Sequence, residues 1–153
     1  MAARRRIPQL ELDHQLCFSL ARASRAVVRS YGPHLAELGL TYPQYLVMLV
    51  LWETGDPTGV GAIGDRLHLD TSTLTPLLKR LEQAGLVERT RDPADERRVT
   101  ISLTTRGADL RDRAASIPGA VFGGYGMTLE DGARLKGQLD DLAARVESSL
   151  GVA

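Results

Sequence analysis

TSTLTPLLKRLEQAGLVERTRDPADERRVTISLT, residues 71–104, changes its hydrophobic period halfway along. In the first part Leu74, Leu77, Leu78 and Leu81 recur at i, i+3, i+4 and i+7, which predicts a helix from about Thr71 to Ala84, stopped by Gly85. Its opposite face carries Ser72, Thr73, Thr75, Lys79 and Arg80. Pro76 costs least in the first helical turn, where backbone N–H groups have no intrahelical partner. In the second part, residues 86–91 and 98–103 read as strands, with Val99, Ile101 and Leu103 alternating with Thr100 and Ser102. The charged run from Asp92 to Arg97 turns the chain between them. A shorter helical stretch, Val60 to Leu67, comes just before.

Two short helices followed by a charged hairpin is the layout of a winged helix. A helix laid in a major groove needs short polar side chains near its N-terminus, against base edges, and longer cations beyond them for phosphates. Ser72, Thr73 and Thr75 suit the first task, Lys79 and Arg80 the second. By itself such a face is equally that of any solvated amphipathic helix. The hairpin adds Arg89, Arg91, Arg97 and Arg98 on one short ribbon, and arginine suits the negative potential of a narrow minor groove. Asp95, two residues before Arg97, is placed to orient its guanidinium. Helix and wing in this order point to duplex DNA.

Outward from this lobe the chain is helical. Leu12, Leu16, Leu20, Ala23 and Val27 share one face of a helix expected from about Leu10 to Ser30; Pro33 is read as opening a short second helix that Gly39 ends. Thr41-Tyr42-Pro43 starts a strongly apolar helix through Glu53, and residues 55–59 read as a loop. After the wing come a helix over about 105–116, breaks at 117–119 and 123–126, and a helix over 129–150 with Leu135, Leu139, Leu142, Val146 and Leu150 on one face. These stripes exceed what a lobe of about 60 residues can cover, which predicts a homodimer. The expected architecture is mostly α (α+β): one protomer over 1–153, a winged helix-turn-helix lobe over about 43–104, and dimerisation helices over about 7–40 and 105–150.

Composition narrows the function. The 153 residues are 43% hydrophobic and 25% charged, ordinary for a globular chain, and the 19 Lys plus Arg balance 19 Asp plus Glu, so bulk charge does not drive nucleic-acid coating. One cysteine excludes an internal disulfide, and His14, His34 and His68 are too dispersed for a metal site; no cofactor is expected. No apolar run spans a membrane, and Arg4 to Arg6 is followed by polar sequence rather than a leader, so the expectation is a cytoplasmic protein without a membrane partner. Cys17, beside Leu16 on the first helix, reads by default as a small buried hydrophobe, and Tyr31 and Tyr42, at element ends, as core or interface aromatics.

The run Asp95-Glu96-Arg97-Arg98-Val99-Thr100-Ile101-Ser102-Leu103-Thr104 resembles the wing signature of the MarR (multiple antibiotic resistance regulator) family. That resemblance implies a homodimeric repressor on a palindromic operator, released by a chemical signal. Leu16-Cys17-Phe18, Leu40-Thr41-Tyr42-Pro43-Gln44-Tyr45 and Leu74-Thr75-Pro76-Leu77-Leu78-Lys79-Arg80 further resemble its organic hydroperoxide resistance branch, over nearly the whole chain. The resemblance implies that Cys17 is the peroxide-sensing thiol and that Tyr31 and Tyr42 contact its thiolate. The resolving cysteine of some members is absent, so the one-cysteine type is implied, with organic hydroperoxide as signal and a small-molecule thiol as the later partner of the oxidised sulfur.

Chemistry accords with this. The thiolate is the nucleophile toward a peroxide, and two phenol donors would favour the anion against desolvation on an apolar face. A helix-dipole contribution is not expected if Cys17 lies beyond the first turn. Apolar walls from Leu16, Phe18, Leu20 and the 45–52 run would favour alkyl over hydrogen peroxide. Two other readings remain at this stage: a regulator released by a phenolic ligand, with Cys17 merely packed, and a thiol peroxidase.

Overall fold

The computed structural model describes residues 7–55, 57–91 and 98–151. Arg4 to Arg6, Asp95 and Arg97 lie outside these. Two 3-10 turns, Pro8–Leu10 and Leu12–His14, lead into α1, Leu16–Ala36. The first helix therefore begins six residues later than its apolar pattern suggests, because Leu10 and Leu12 have nothing in this chain to cover them (77% and 58% exposed). Gln15 Nε2 donates to the Gln9 carbonyl and ties the turns to the start of the helix. The end also differs from expectation. Pro33 does not open a second helix but lies inside α1 on its solvent side. Burial of Tyr31 and Leu35 on either side of the proline holds the helix through a position that ordinarily breaks one.

α2, Tyr42–Thr54, is apolar nearly all round and accordingly runs through the centre, with Val47, Met48 and Leu51 fully buried. Thr41 caps it, its backbone N–H donating to Gln44 Oε1 at 2.8 Å. The expected loop after α2 contains a two-residue strand, β1, Thr58–Gly59. Then follow α3, Val60–Leu67, and α4, Thr71–Gln83. Gly64 lets the turn between them close: a Cβ there would stand 2.8 Å from the Leu69 carbonyl oxygen.

Pro76 falls in the second turn of α4, not the first. The Ser72 carbonyl thus lacks the usual i+4 donor, a cost eased by the exposure of both residues. The wing strands are β2, Val87–Arg91, and β3, Val99–Leu103, antiparallel with Val87 opposite Leu103 and Arg91 opposite Val99. β3 is central, flanked by β1 and β2. The alternation missed β1 because two residues carry no period.

α5, Thr105–Ala114, returns onto the lobe. Gly107 is the keystone there. Its carbonyl accepts from Trp52 Nε1 at 3.0 Å, its N–H donates to the Thr104 cap, and a Cβ would overlap the Leu86 carbonyl oxygen at 2.0 Å. The segment read as two breaks is instead a helix, α6, Ile117–Gly124: Pro118 sits at its start, where a proline is tolerated, and Ile117 and Val121 bury. α7, Leu129–Leu150, starts at a Thr128–Asp131 capping box and has no buried residue; Leu135, Leu139 and Val146 stay 42–48% exposed.

Candidate DNA interface and thiol site

The N-terminus of α4 is held by Asp70, whose carboxylate accepts from the Thr73 backbone N–H at 2.7 Å and the Ser72 hydroxyl at 2.6 Å. The Ser72 hydroxyl and the Thr73 N–H hold this carboxyl below the usual carboxylate range. Ser72, Thr73, Thr75, Lys79 and Arg80 are all exposed, on the side of α4 opposite the buried Leu74, Leu78 and Leu81. The Thr75 hydroxyl donates to the Thr71 carbonyl at 2.7 Å. With their protons committed, Ser72 and Thr75 offer lone pairs, which suit donors such as exocyclic base amino groups.

Strand alternation puts Val87, Arg89 and Arg91 on one face of β2. Arg89 and Arg98 line a groove of about 470 Å³ with Thr71 and Thr75, so α4 and the wing strands flank one groove that carries two arginines. Arg89 also approaches Glu82 at 3.9 Å, a loose and exposed pair of small energetic weight.

The thiol is not where the sequence reading put it. Cys17 is exposed, not a buried hydrophobe. It is the second residue of α1, inside the first turn rather than beyond it. That position, nearer the helix start than the sequence suggests, follows from the later start of the helix. Nor does this chain bring Cys17 to the two tyrosines. Cys17 and Tyr31 lie on the same helix, and 14 residues at about 1.5 Å each separate them by roughly 21 Å. The apolar 45–52 run does not wall the thiol either; its buried members form the centre of the lobe.

Tyr31 and Tyr42 do meet. Their rings stand edge to face, centroids 5.2 Å apart, and Tyr45 joins them at 5.9 and 6.4 Å. Burial, reinforced by the neighbouring phenols Tyr45, Tyr42 and Tyr125, pushes the Tyr31 hydroxyl up to about 12. Tyr42 is raised too, by burial first and then by Tyr125. Both keep their protons at neutral pH and are therefore donors.

They open on an apolar cleft of about 550 Å³ formed with Val27 of α1, Phe122 and Tyr125 at the end of α6, and Leu135 and Leu139 of α7. Gly132 lets α7 close on it, since a Cβ would touch the Phe122 ring at 2.8 Å. Tyr125 Oη lies 3.0 Å from Ser30 Oγ. Sequence reading passed over Tyr125 as part of a glycine-rich break. The signal available was that the chain has four tyrosines, and all four gather here. Among the described residues no His, Cys, Asp or Glu cluster fits a metal, and no helix is long and apolar enough to cross a membrane.

Residues 29–113 match the family described as transcriptional regulator SarA/Rot. The chain is 48% identical over 130 residues to the organic hydroperoxide resistance transcriptional regulator of Bacillus subtilis, covering 85% of this chain and 88% of that one. Reduced AbfR bound to DNA, a protein of Staphylococcus epidermidis, superposes with a TM-score of 0.72 at 36% identity, over 90% of this chain and 96% of that one. A MarR-family transcriptional regulator from Rhodococcus sp. RHA1 superposes at 0.76 with 28% identity, over 88% and 96%. With the winged lobe, the exposed α4 face and the lone thiol already in place, these likenesses establish that the chain belongs to the MarR family of winged-helix transcriptional regulators, in its organic hydroperoxide resistance group.

Proposed function

We propose that the protein is a homodimeric repressor of the cytoplasm that holds a palindromic operator while Cys17 is reduced and lets go when an organic hydroperoxide oxidises it. The carrying observation is the roughly 21 Å between Cys17 and Tyr31. A thiolate contacted by Tyr31 and Tyr42 is possible only if Cys17 comes from the other subunit. The exposed apolar faces of α1 and α7 supply the reason for pairing, and the cleft beside the tyrosines supplies a place for the start of a second α1. Two such sites form per dimer.

In the reduced dimer the α4 helices enter successive major grooves about 34 Å apart, with Ser72, Thr73 and Thr75 toward base edges and Lys79 and Arg80 toward phosphates. Arg89, Arg91, Arg97 and Arg98 extend along the wing, with Asp95 steadying Arg97. The Cys17 thiolate attacks an oxygen of the hydroperoxide. An S–O bond forms, the O–O bond breaks, sulfur gives up two electrons, and the leaving alkoxide takes a proton to become an alcohol. The resulting sulfenic acid condenses with a small-molecule thiol, releasing water and leaving a mixed disulfide.

That adduct does not fit between the phenols. Tyr42 is the first residue of α2, the helix on which α3 and α4 rest, so displacement at the cleft passes into the reading head. The protein acts as a switch rather than a turnover enzyme. Gel shift on a self-promoter fragment tests this: wild type should leave the DNA on adding cumene hydroperoxide, and Cys17→Ser should bind equally well and stay. Release of Cys17→Ser at the wild-type dose would contradict the reading and favour a ligand-released regulator. Sustained peroxide consumption with a thiol donor would point to a peroxidase.

A further inference from the structure

We propose that Tyr125, oriented by Ser30, is a positioning residue of the sensing site, a role that rests on the two-subunit reading above. Tyr125 sits at the end of α6 between Gly123-Gly124 and Gly126, and Gly126 takes a left-handed φ of +68°. Three glycines around one aromatic make an elbow with little to stiffen it. Beyond the elbow comes α7, which buries no residue in its own chain and relies on a few contacts for its direction.

The Tyr125 hydroxyl crosses from this elbow to α1, 3.0 Å from Ser30 Oγ, the residue beside Tyr31. Ser30 gives its single hydroxyl proton to the Val27 carbonyl at 2.6 Å. Tyr125 is then the donor in the pair, and its ring is held in turn against Phe122, centroids 6.1 Å apart. The bond therefore has one direction and one geometry. It fixes the elbow against the helix that carries Tyr31, across the mouth of the cleft that both line. Tyr125 also lies close enough to Tyr31 and Tyr42 to help keep their hydroxyls protonated. Losing the tie would let the elbow drift and the phenol donors leave the line to the partner subunit's sulfur.

The test uses the full-length dimer in four single variants, Tyr125→Phe, Ser30→Ala, Ser30→Thr and Tyr31→Phe, and the double Tyr125→Phe with Ser30→Ala. The readouts are the rate of sulfenic acid formation with cumene hydroperoxide as a function of pH, and operator affinity of the reduced protein. Tyr125→Phe and Ser30→Ala should each slow oxidation about 2- to 10-fold, the range of one hydrogen bond, and move the rise of the pH profile upward. The double variant should be no slower than either, and Ser30→Thr, which keeps the hydroxyl, should restore the wild-type rate. Operator affinity of reduced Tyr125→Phe and Ser30→Ala should stay unchanged.

Wild-type rates in Tyr125→Phe with a slowed Tyr31→Phe would overturn this inference alone. Additive effects of the two substitutions, or an equal loss of operator affinity, would overturn it as well. Wild-type rates in Tyr31→Phe too would remove the sensing reading beneath it.

Discussion

The winged lobe and the outer helices of this chain solve the same problem in opposite ways. In the lobe, α2, α3, α4 and the sheet bury their apolar side chains against one another: Val47, Met48, Leu51, Ile63, Leu74, Leu81 and Ile101 are all fully enclosed. α7 and the first half of α1 carry stripes just as regular and bury nothing, with Leu16 at 61% and Leu150 at 70% exposure. Hydrophobic periodicity therefore marks a face that must be covered, without saying by what. One part of the molecule is complete in a single copy, while the other is half of an interface. In the proposed switch the sensor would belong to the second part, since Cys17 lies at the uncovered start of α1 and Tyr31 toward its buried end. A signal detected between subunits can change their relative placement, which is what spaced half-sites on DNA measure.

This contrast can be broken experimentally. The largest effect is expected in the outer helices. The double variant Leu135→Ala with Leu139→Ala, whose 46% and 42% exposures together leave about one leucine's surface for a partner to cover, should weaken the dimer by about 1.5–3 kcal/mol per copy, twice by symmetry, or roughly 10²- to 10⁴-fold in dissociation constant. Sedimentation at varied concentration would read it, and an unchanged dimer would place the interface elsewhere. Next is Gly107→Ala, whose Cβ meets backbone rather than a movable side chain. It should cost about 3 kcal/mol of unfolding free energy by overpacking, through a mechanism confined to the lobe. Thr104→Ala, removing the α5 cap and its bond to the Gly85 carbonyl, should cost about 1 kcal/mol in denaturant unfolding.

The smallest effect concerns pH. Tyr31 binds its proton more tightly folded (to about 12) than unfolded (near 10), so the native state holds more protons between those values. Stability contributed by this group is complete below about pH 10 and fades as pH rises toward 12. Tyr31→Phe should flatten that alkaline slope in urea titrations; an unaltered slope would remove Tyr31 as its source.

The winged lobe was legible because its evidence is local. The change from a 3.6-residue period at Leu74–Leu81 to alternation at Val99–Leu103, with Gly85 between, marks helix, stop and strand within one window. α6 was hidden because Pro118 and its glycines look like breakers, and only burial of Ile117 and Val121 makes them a helix. Pro33 misled in the same way.

For the candidate site, the sequence offers residue types but no distances. Cys17, Tyr31 and Tyr42 share a short span of sequence, yet a helix keeps 14 residues far apart. Tyr125, some 80 residues beyond Tyr42, reaches the cluster only through tertiary packing. Asp95 and Arg97 lie outside the described residues, and their part in the wing rests on the family's motif.

The sharing of the site between subunits is tested most directly by mixing two disabled chains. One carries Cys17→Ser; the other carries Tyr31→Phe and Tyr42→Phe. In a heterodimer, a site built across subunits pairs the intact Cys17 of the second chain with the intact tyrosines of the first, giving one complete site. A site built within one chain leaves none. The account predicts that the single Cys17 of each purified heterodimer forms sulfenic acid with cumene hydroperoxide at the wild-type rate per cysteine. Heterodimers that react no faster than the tyrosine-deficient homodimer would contradict it.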